Sequence, residues 1–187
     1  MELQSASLAV RFENVLYATD FRGRSRAALP YVLSVARRYG SKVYVVHVIA
    51  LSPFSSPGPT SALRAIESQA IREAKEAAME LSPVFGQIPN EVLIRKGDIW
   101  REISDIVEKK RINLIVVGTH GREGVGKVIM GSVAEKIFRE ASCPVLTIGP
   151  RIHGEPDRFA DCTRFSCRRI SVLNLWQAFL MRLRLPK

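Results

Sequence analysis

The chain has 187 residues, 47% of them hydrophobic and 25% charged, which is enough apolar material for one sizeable core and excludes a chain disordered throughout. Lys and Arg number 28 against 18 Asp and Glu, a formal net charge of +10, but half of that excess lies beyond residue 150, where eight basic residues meet three acidic ones. The rest of the chain interleaves its Lys and Arg with Glu along helical stretches, so charge alone selects neither a nucleic-acid nor an anionic-membrane partner.

The opening MELQSASLAV has no basic segment followed by a long apolar one, and no apolar run approaches the roughly 18 residues of a membrane span. Cys143, Cys162 and Cys167 make neither a CxxC pair nor a disulfide framework, and a reducing, cytoplasmic location is expected. From Asn14 onward, short β-branched runs alternate with helical periodicity. Strands are predicted at Val15–Ala18, Val43–Ile49, Glu91–Ile94, Leu114–Val117 and Val145–Ile148, and helices at about Ser25–Tyr39, Ser61–Leu81, Ile99–Lys110 and Ser132–Ala141. Gly40 is placed to stop the first helix and Asp98 to cap the third. In the second helix Leu63, Ile66, Ala70, Ala74, Ala77 and Leu81 recur at spacings of three and four, an apolar face suited to covering a sheet. Residues 50–60, ALSPFSSPGPT, read as a surface loop. Continuous apolar strands joined by helices predict an α/β, doubly wound parallel sheet with ligands at the carboxyl ends of its strands.

The chemistry concentrates in residues 118–132, GTHGREGVGKVIMGS, a glycine-rich loop between an apolar strand and a helix. Glycine lets main-chain N–H groups approach an anion closely, and a helix starting at Ser132 aims unpaired N–H groups and a positive dipole end at the same place. Three glycine-loop readings compete. A P-loop would need a hydroxyl where Val128 follows Lys127, and a dinucleotide fingerprint would need a third glycine where Ile129 stands. The spacing Gly118, two residues, Gly121, nine residues, Gly131-Ser132 is met in full by a third pattern. It resembles the nucleotide-binding signature of the ATP-binding branch of the universal stress protein family. The strand ending Tyr17-Ala18-Thr19-Asp20 and the entry Ser142-Cys143-Pro144-Val145 are similar to the same family's first and last strands.

The resemblance covers about Asn14 to Gly149. It implies five parallel strands in the order 3-2-1-4-5 with helices on both faces, a Rossmann-like fold akin to the adenine nucleotide α hydrolases. It also implies an ATP site, with magnesium held through the phosphates. By position, Asp20 and the backbone around Val48 would hold the adenine and ribose. Gly118 and Gly121 would line ribose and phosphates, and Gly131, Ser132 and Val133 would meet the phosphates. Ala18 stands where members often carry proline. His120, Arg122 and Lys127 are further candidates for ribose or phosphate contact, although Lys127 and Arg122 read equally well as solvated.

Simpler roles compete for several residues. Asp20 can cap the following helix, His47 reads as a core or strand-end histidine, and Cys143 reads as packing. No second His or Cys stands at metal-ligand spacing, and no nucleophile, base and orienting group converge, so binding with at most weak ATP hydrolysis is expected. An adenine-nucleotide-dependent enzyme and a nucleotide-free interaction module are the alternatives. Residues 1–150 are expected to form the universal stress protein domain, a stress-response regulatory module. Residues 151–187 form a basic extension whose 168–185 stretch has basic ends around an apolar centre. That extension is read as privately packed or poorly ordered, with membrane-surface contact as the alternative. The expected partners are ATP and a second copy of the chain, a homodimer through the Val145–Ile148 edge, with no specific nucleic acid.

Overall fold

The computed structural model describes residues 11–50, 60–118, 131–149 and 164–166. Its strands are β1 (Asn14–Ala18), β2 (Lys42–Ala50), β3 (Asn90–Gly97), β4 (Leu114–Gly118), β5 (Val145–Ile148) and β6 (Arg164–Ser166). The helices are α1 (Gly23–Arg26), α2 (Leu29–Tyr39), α3 (Thr60–Leu81), α4 (Ile99–Lys109) and α5 (Ser132–Glu140). The sheet runs β3-β2-β1-β4-β5-β6, parallel through β5, so the expected order 3-2-1-4-5 is present. The sixth strand is antiparallel to β5 and comes from the extension, where no β-α rhythm marks it in sequence. Where a second subunit was expected, the outer edge of β5 is therefore paired within the chain.

Alternation along the strands explains why both faces are dry. Val15, Tyr17, Val43, Val45, Leu114 and Val116 face α2, whose Leu29, Val32, Val35 and Ala36 are buried against them. Leu16, Ala18, Tyr44, Val46, Ile115 and Val117 face α4 and α5 through Ile103, Ile106, Ala134 and Ile137. A sheet covered on both sides has no polar face, and its strands read as unbroken apolar runs. Cys143 is buried in the second cluster.

The helices depart from expectation in three places. The first predicted helix is broken at Ala27–Ala28, because Pro30 supplies no N–H to a continuous ladder and instead takes the first turn of a new helix. Among the described side chains of α3, the apolar face is buried only in the second half of the helix. Ala74, Ala78 and Leu81 pack inward while Ile66 is 66% exposed. A 3-10 turn at Ser82–Phe85 then buries Phe85. Both predicted helix boundaries hold: Asp98 accepts from the Arg101 N–H at 2.9 Å, and Gly40 ends α2 at φ 64°.

Gly40 gives a direct stability test. Nothing lies within 4 Å of an added Cβ, so Gly40→Ala changes only the cost of the left-handed conformation. That cost is about 1 kcal/mol, read as a lower midpoint in urea unfolding with an unchanged slope.

Candidate functional site

Connections from β1 to β2 and from β4 to β5 leave in opposite directions along the sheet, so the order reverses between the adjacent strands β1 and β4. Their carboxyl ends, Ala18 and Gly118, open on a crevice of about 280 Å³. Such a switch point is where open α/β sheets take ligands, and the volume is near the lower end of the roughly 300–1,000 Å³ usual for small-molecule sites.

Every predicted site residue within the described part of the chain lines this one crevice: Ala18, Asp20, Val48, Gly118, Gly131, Ser132 and Val133. Gly121, His120, Arg122 and Lys127 lie outside the described residues. The walls are completed by residues that sequence reasoning did not place there, among them Thr19, Ser25, Val46, His47, Ile99, Ile103, Val117 and Ala134. Most of these are apolar, giving a slot that a flat heteroaromatic ring could enter.

The β1–α1 turn is built to present Asp20. Burial pushes the Tyr17 phenol above its ordinary value and keeps its proton in place, and the phenol donates to the Ser25 carbonyl at 2.8 Å. Thr19 accepts from the Phe21 N–H at 2.9 Å and meets the Ser25 hydroxyl at 2.9 Å. Ser25 in turn donates to Asp20 Oδ1 at 2.5 Å, which also receives the Arg22 N–H at 3.0 Å. This mesh holds Phe21 at φ 59°, a left-handed conformation that a non-glycine residue adopts only when its neighbours impose it. Burial pushes the Asp20 carboxyl up, but the hydrogen bonds from Ser25 and Arg22 outweigh it and hold the group below its ordinary value. Asp20 is therefore an anion at neutral pH. Both of these bonds fall on Oδ1.

Backbone groups face the crevice from β2 as well. Pairing of β1 with β2 ends at Ala18 opposite Val46, with the Thr19 N–H bonded to the Val46 carbonyl at 3.0 Å. Two residues on, Val48 turns its N–H and C=O to the same side, where β1 has already ended. Between them, His47 Nδ1 lies 2.9 Å from the Thr19 carbonyl. A carbonyl can only accept, so Nδ1 carries the hydrogen. The ring packs on Phe21 with centroids 5.2 Å apart. His47 is thus a wall of the crevice and a tie between β2 and the Asp20 turn, beyond the strand-end role expected for it.

On the far side, α5 begins with Gly131 as its cap residue, which makes no side-chain capping bond. The first N–H groups of a nine-residue helix therefore face the crevice beside the Ser132 hydroxyl, with the positive end of the helix dipole behind them. The site can thus offer a carboxylate for hydroxyl groups, an open peptide edge and apolar slot for a ring, and a helix end for an anion. Among the described residues no group of three His, Cys, Asp or Glu is placed to hold a metal ion, and no helix is long and apolar enough to cross a membrane.

The model of the universal stress protein family matches residues 11–149. The universal stress protein A homolog 1 of Coxiella burnetii is 34% identical over 146 residues, covering 74% of this chain and 97% of that protein. A universal stress protein of Methanocaldococcus jannaschii is 29% identical over 141 residues, covering 73% and 82%. Among solved structures, universal stress protein UspA from Lactobacillus plantarum superposes with a TM-score of 0.66 at 22% identity, covering 75% of this chain and 99% of that one. An Arabidopsis thaliana family protein with AMP bound gives 0.53 at 20% identity, covering 80% and 99%.

Proposed function

Because this chain belongs to the universal stress protein family, we propose that its crevice is an adenine-nucleotide site, that ATP is the ligand, and that the protein works as a nucleotide-responsive regulatory module in stress resistance. One observation carries the reading: at the switch point between β1 and β4, the Asp20 carboxylate and the amino end of α5 line the same apolar-walled crevice. A carboxylate beside a helix amino terminus is a poor match for a simple anion and a good one for a molecule with hydroxyls at one end and phosphate at the other.

In this reading the adenine enters the slot between Val46, Val48 and Ile103, with its edge against the peptide groups of Val48. Asp20 Oδ2 accepts from a ribose hydroxyl. The phosphates lie along Gly118 and the N–H groups of Gly131, Ser132 and Val133, joined by the Ser132 hydroxyl. The 280 Å³ volume suits the nucleoside half of such a ligand. Gly121, His120, Arg122 and Lys127, which follow Gly118 in sequence, are further ribose or phosphate contacts in this proposal, and magnesium, where present, is carried by the phosphates. Bound AMP in the Arabidopsis thaliana relative supports the ligand class. Residues 1–150 form the nucleotide-binding unit in this proposal and 151–187 the extension.

Calorimetric titration of the full chain with ATP, AMP and GTP tests it. A saturable one-to-one isotherm for ATP is expected, with GTP at least about tenfold weaker, equivalent to roughly 1.4 kcal/mol. Absence of binding by both adenine nucleotides overturns the reading, and equal binding of GTP overturns the assignment of the base slot.

A further inference from the structure

The two outer strands of the parallel sheet protect their edges in different ways. Strand β3 carries Glu91, Arg95 and Lys96, with Glu91 paired to Lys42 and Lys110 and Lys96 to Glu67. Charged side chains on a half-exposed edge discourage pairing with another chain. Strand β5 reads Val-Leu-Thr-Ile, has no charge, and is buried along its whole length. Its protection is a strand: Val145, Leu146 and Thr147 pair antiparallel with Ser166, Phe165 and Arg164.

That cover is short and distant in sequence from the strand it covers. It is three residues long, and residues 149–163 separate it from β5, far more than the two to five of a tight hairpin. Three cross-strand pairs add little stability by themselves. What keeps β6 in place against competitors is its tether, which sets an effective concentration on the order of millimolar. Its direction also matters. A second β5 related by a two-fold axis would meet this edge antiparallel, the orientation that β6 already takes.

We propose that β6 is a built-in stand-in for a partner strand, so that the β5 edge is a docking surface contested between residues 164–166 and β5 of a second copy. With β6 in place the chain is a monomer. Withdrawal of β6 exposes an uncharged edge that is complementary to itself, and two copies join into one continuous sheet through β5. The extension is then a switch on assembly, and this holds whether or not the crevice binds a nucleotide.

Proline in β6 tests this in the full-length chain. Either Phe165 or its two neighbours supply the ladder bonds, so the double variant Arg164→Pro/Phe165→Pro removes donors in both cases. Light scattering over a concentration series is expected to give a monomer for the native chain at micromolar concentration, and for the variant a dimer at least about tenfold tighter. Hydrogen exchange at those β5 amides that face away from β4 supplies a second readout. Protection is expected at all concentrations in the native chain, but only at concentrations where the variant dimerises. Circular dichroism verifies the fold, and Phe165→Pro alone is read in the same way should the double variant unfold. A folded variant that stays monomeric overturns the proposal, as does a native dimer of the same affinity as the variant.

Discussion

Gly131→Val is expected to weaken ATP binding by about 10- to 100-fold while leaving the unfolding transition cooperative and close to its original midpoint. Gly131 has φ −63° and ψ 153°, extended backbone that any residue adopts, so valine introduces no left-handed strain. The residue makes no side-chain capping bond that could be lost, and the weaker capping preference of valine costs the fold under about 1 kcal/mol. The damage falls on the ligand. A branched side chain at the mouth of α5 stands between the phosphates and N–H groups that would otherwise approach them. Loss of one charge-assisted hydrogen bond costs about 1.5–3 kcal/mol, which gives the stated factor. Gly131→Ala, with one methyl group, should fall between valine and the native chain. Titration calorimetry and urea unfolding on the same preparations separate the two effects. Native affinity in the valine variant would remove Gly131 from the phosphate side.

Gly118 and Gly131, which line the crevice, were readable in the sequence. A glycine at Gly118 and another at Gly131, next to a strand end and a helix start, leave a periodic and compositional trace. The strands were equally legible, since a sheet buried on both faces writes itself as runs such as Val43–Val46 and Leu114–Val117. What stayed hidden depends on relations across the chain. Ser25 acts through its contacts with Asp20 and Tyr17, and nothing at position 25 distinguishes it from a surface serine. His47 reads as one more residue of an apolar strand until β1 is seen to end beside it. Ile66 obeys the helical period of α3 yet is exposed, because periodicity reports direction around a helix and not what lies against that face. Strand β6 is three residues of a basic segment and pairs only because β5 lies open beside it. Short strands carry too few positions for a period of two to register.

Asp20→Ala is expected to lower ATP affinity by about 10- to 100-fold, through loss of a charged acceptor worth about 1.5–3 kcal/mol to a ribose hydroxyl. It should do so differently from Ser25→Ala. Ser25 holds Oδ1 of Asp20 and touches Thr19, so its removal loosens the carboxylate without deleting it. A smaller loss of affinity is expected for Ser25→Ala, and the double variant should be little worse than Asp20→Ala alone, because one acts through the other. Asp20→Asn keeps an oxygen acceptor but no charge and should lie between. Acid provides an independent measure. The carboxyl is held below its ordinary value in the fold, so it binds fewer protons there than in the unfolded chain. Its contribution to stability is therefore complete above the unfolded value, about 3.9, and is lost as pH falls through the lower folded value. Between pH 5 and 8 the difference in stability between the native chain and Asp20→Asn should accordingly stay constant, and it should shrink below about pH 4. Additive losses of affinity in the double variant would show that Ser25 and Asp20 act separately. An Asp20→Ala variant with native affinity would show that the carboxylate orders the β1–α1 turn and does not meet the ligand.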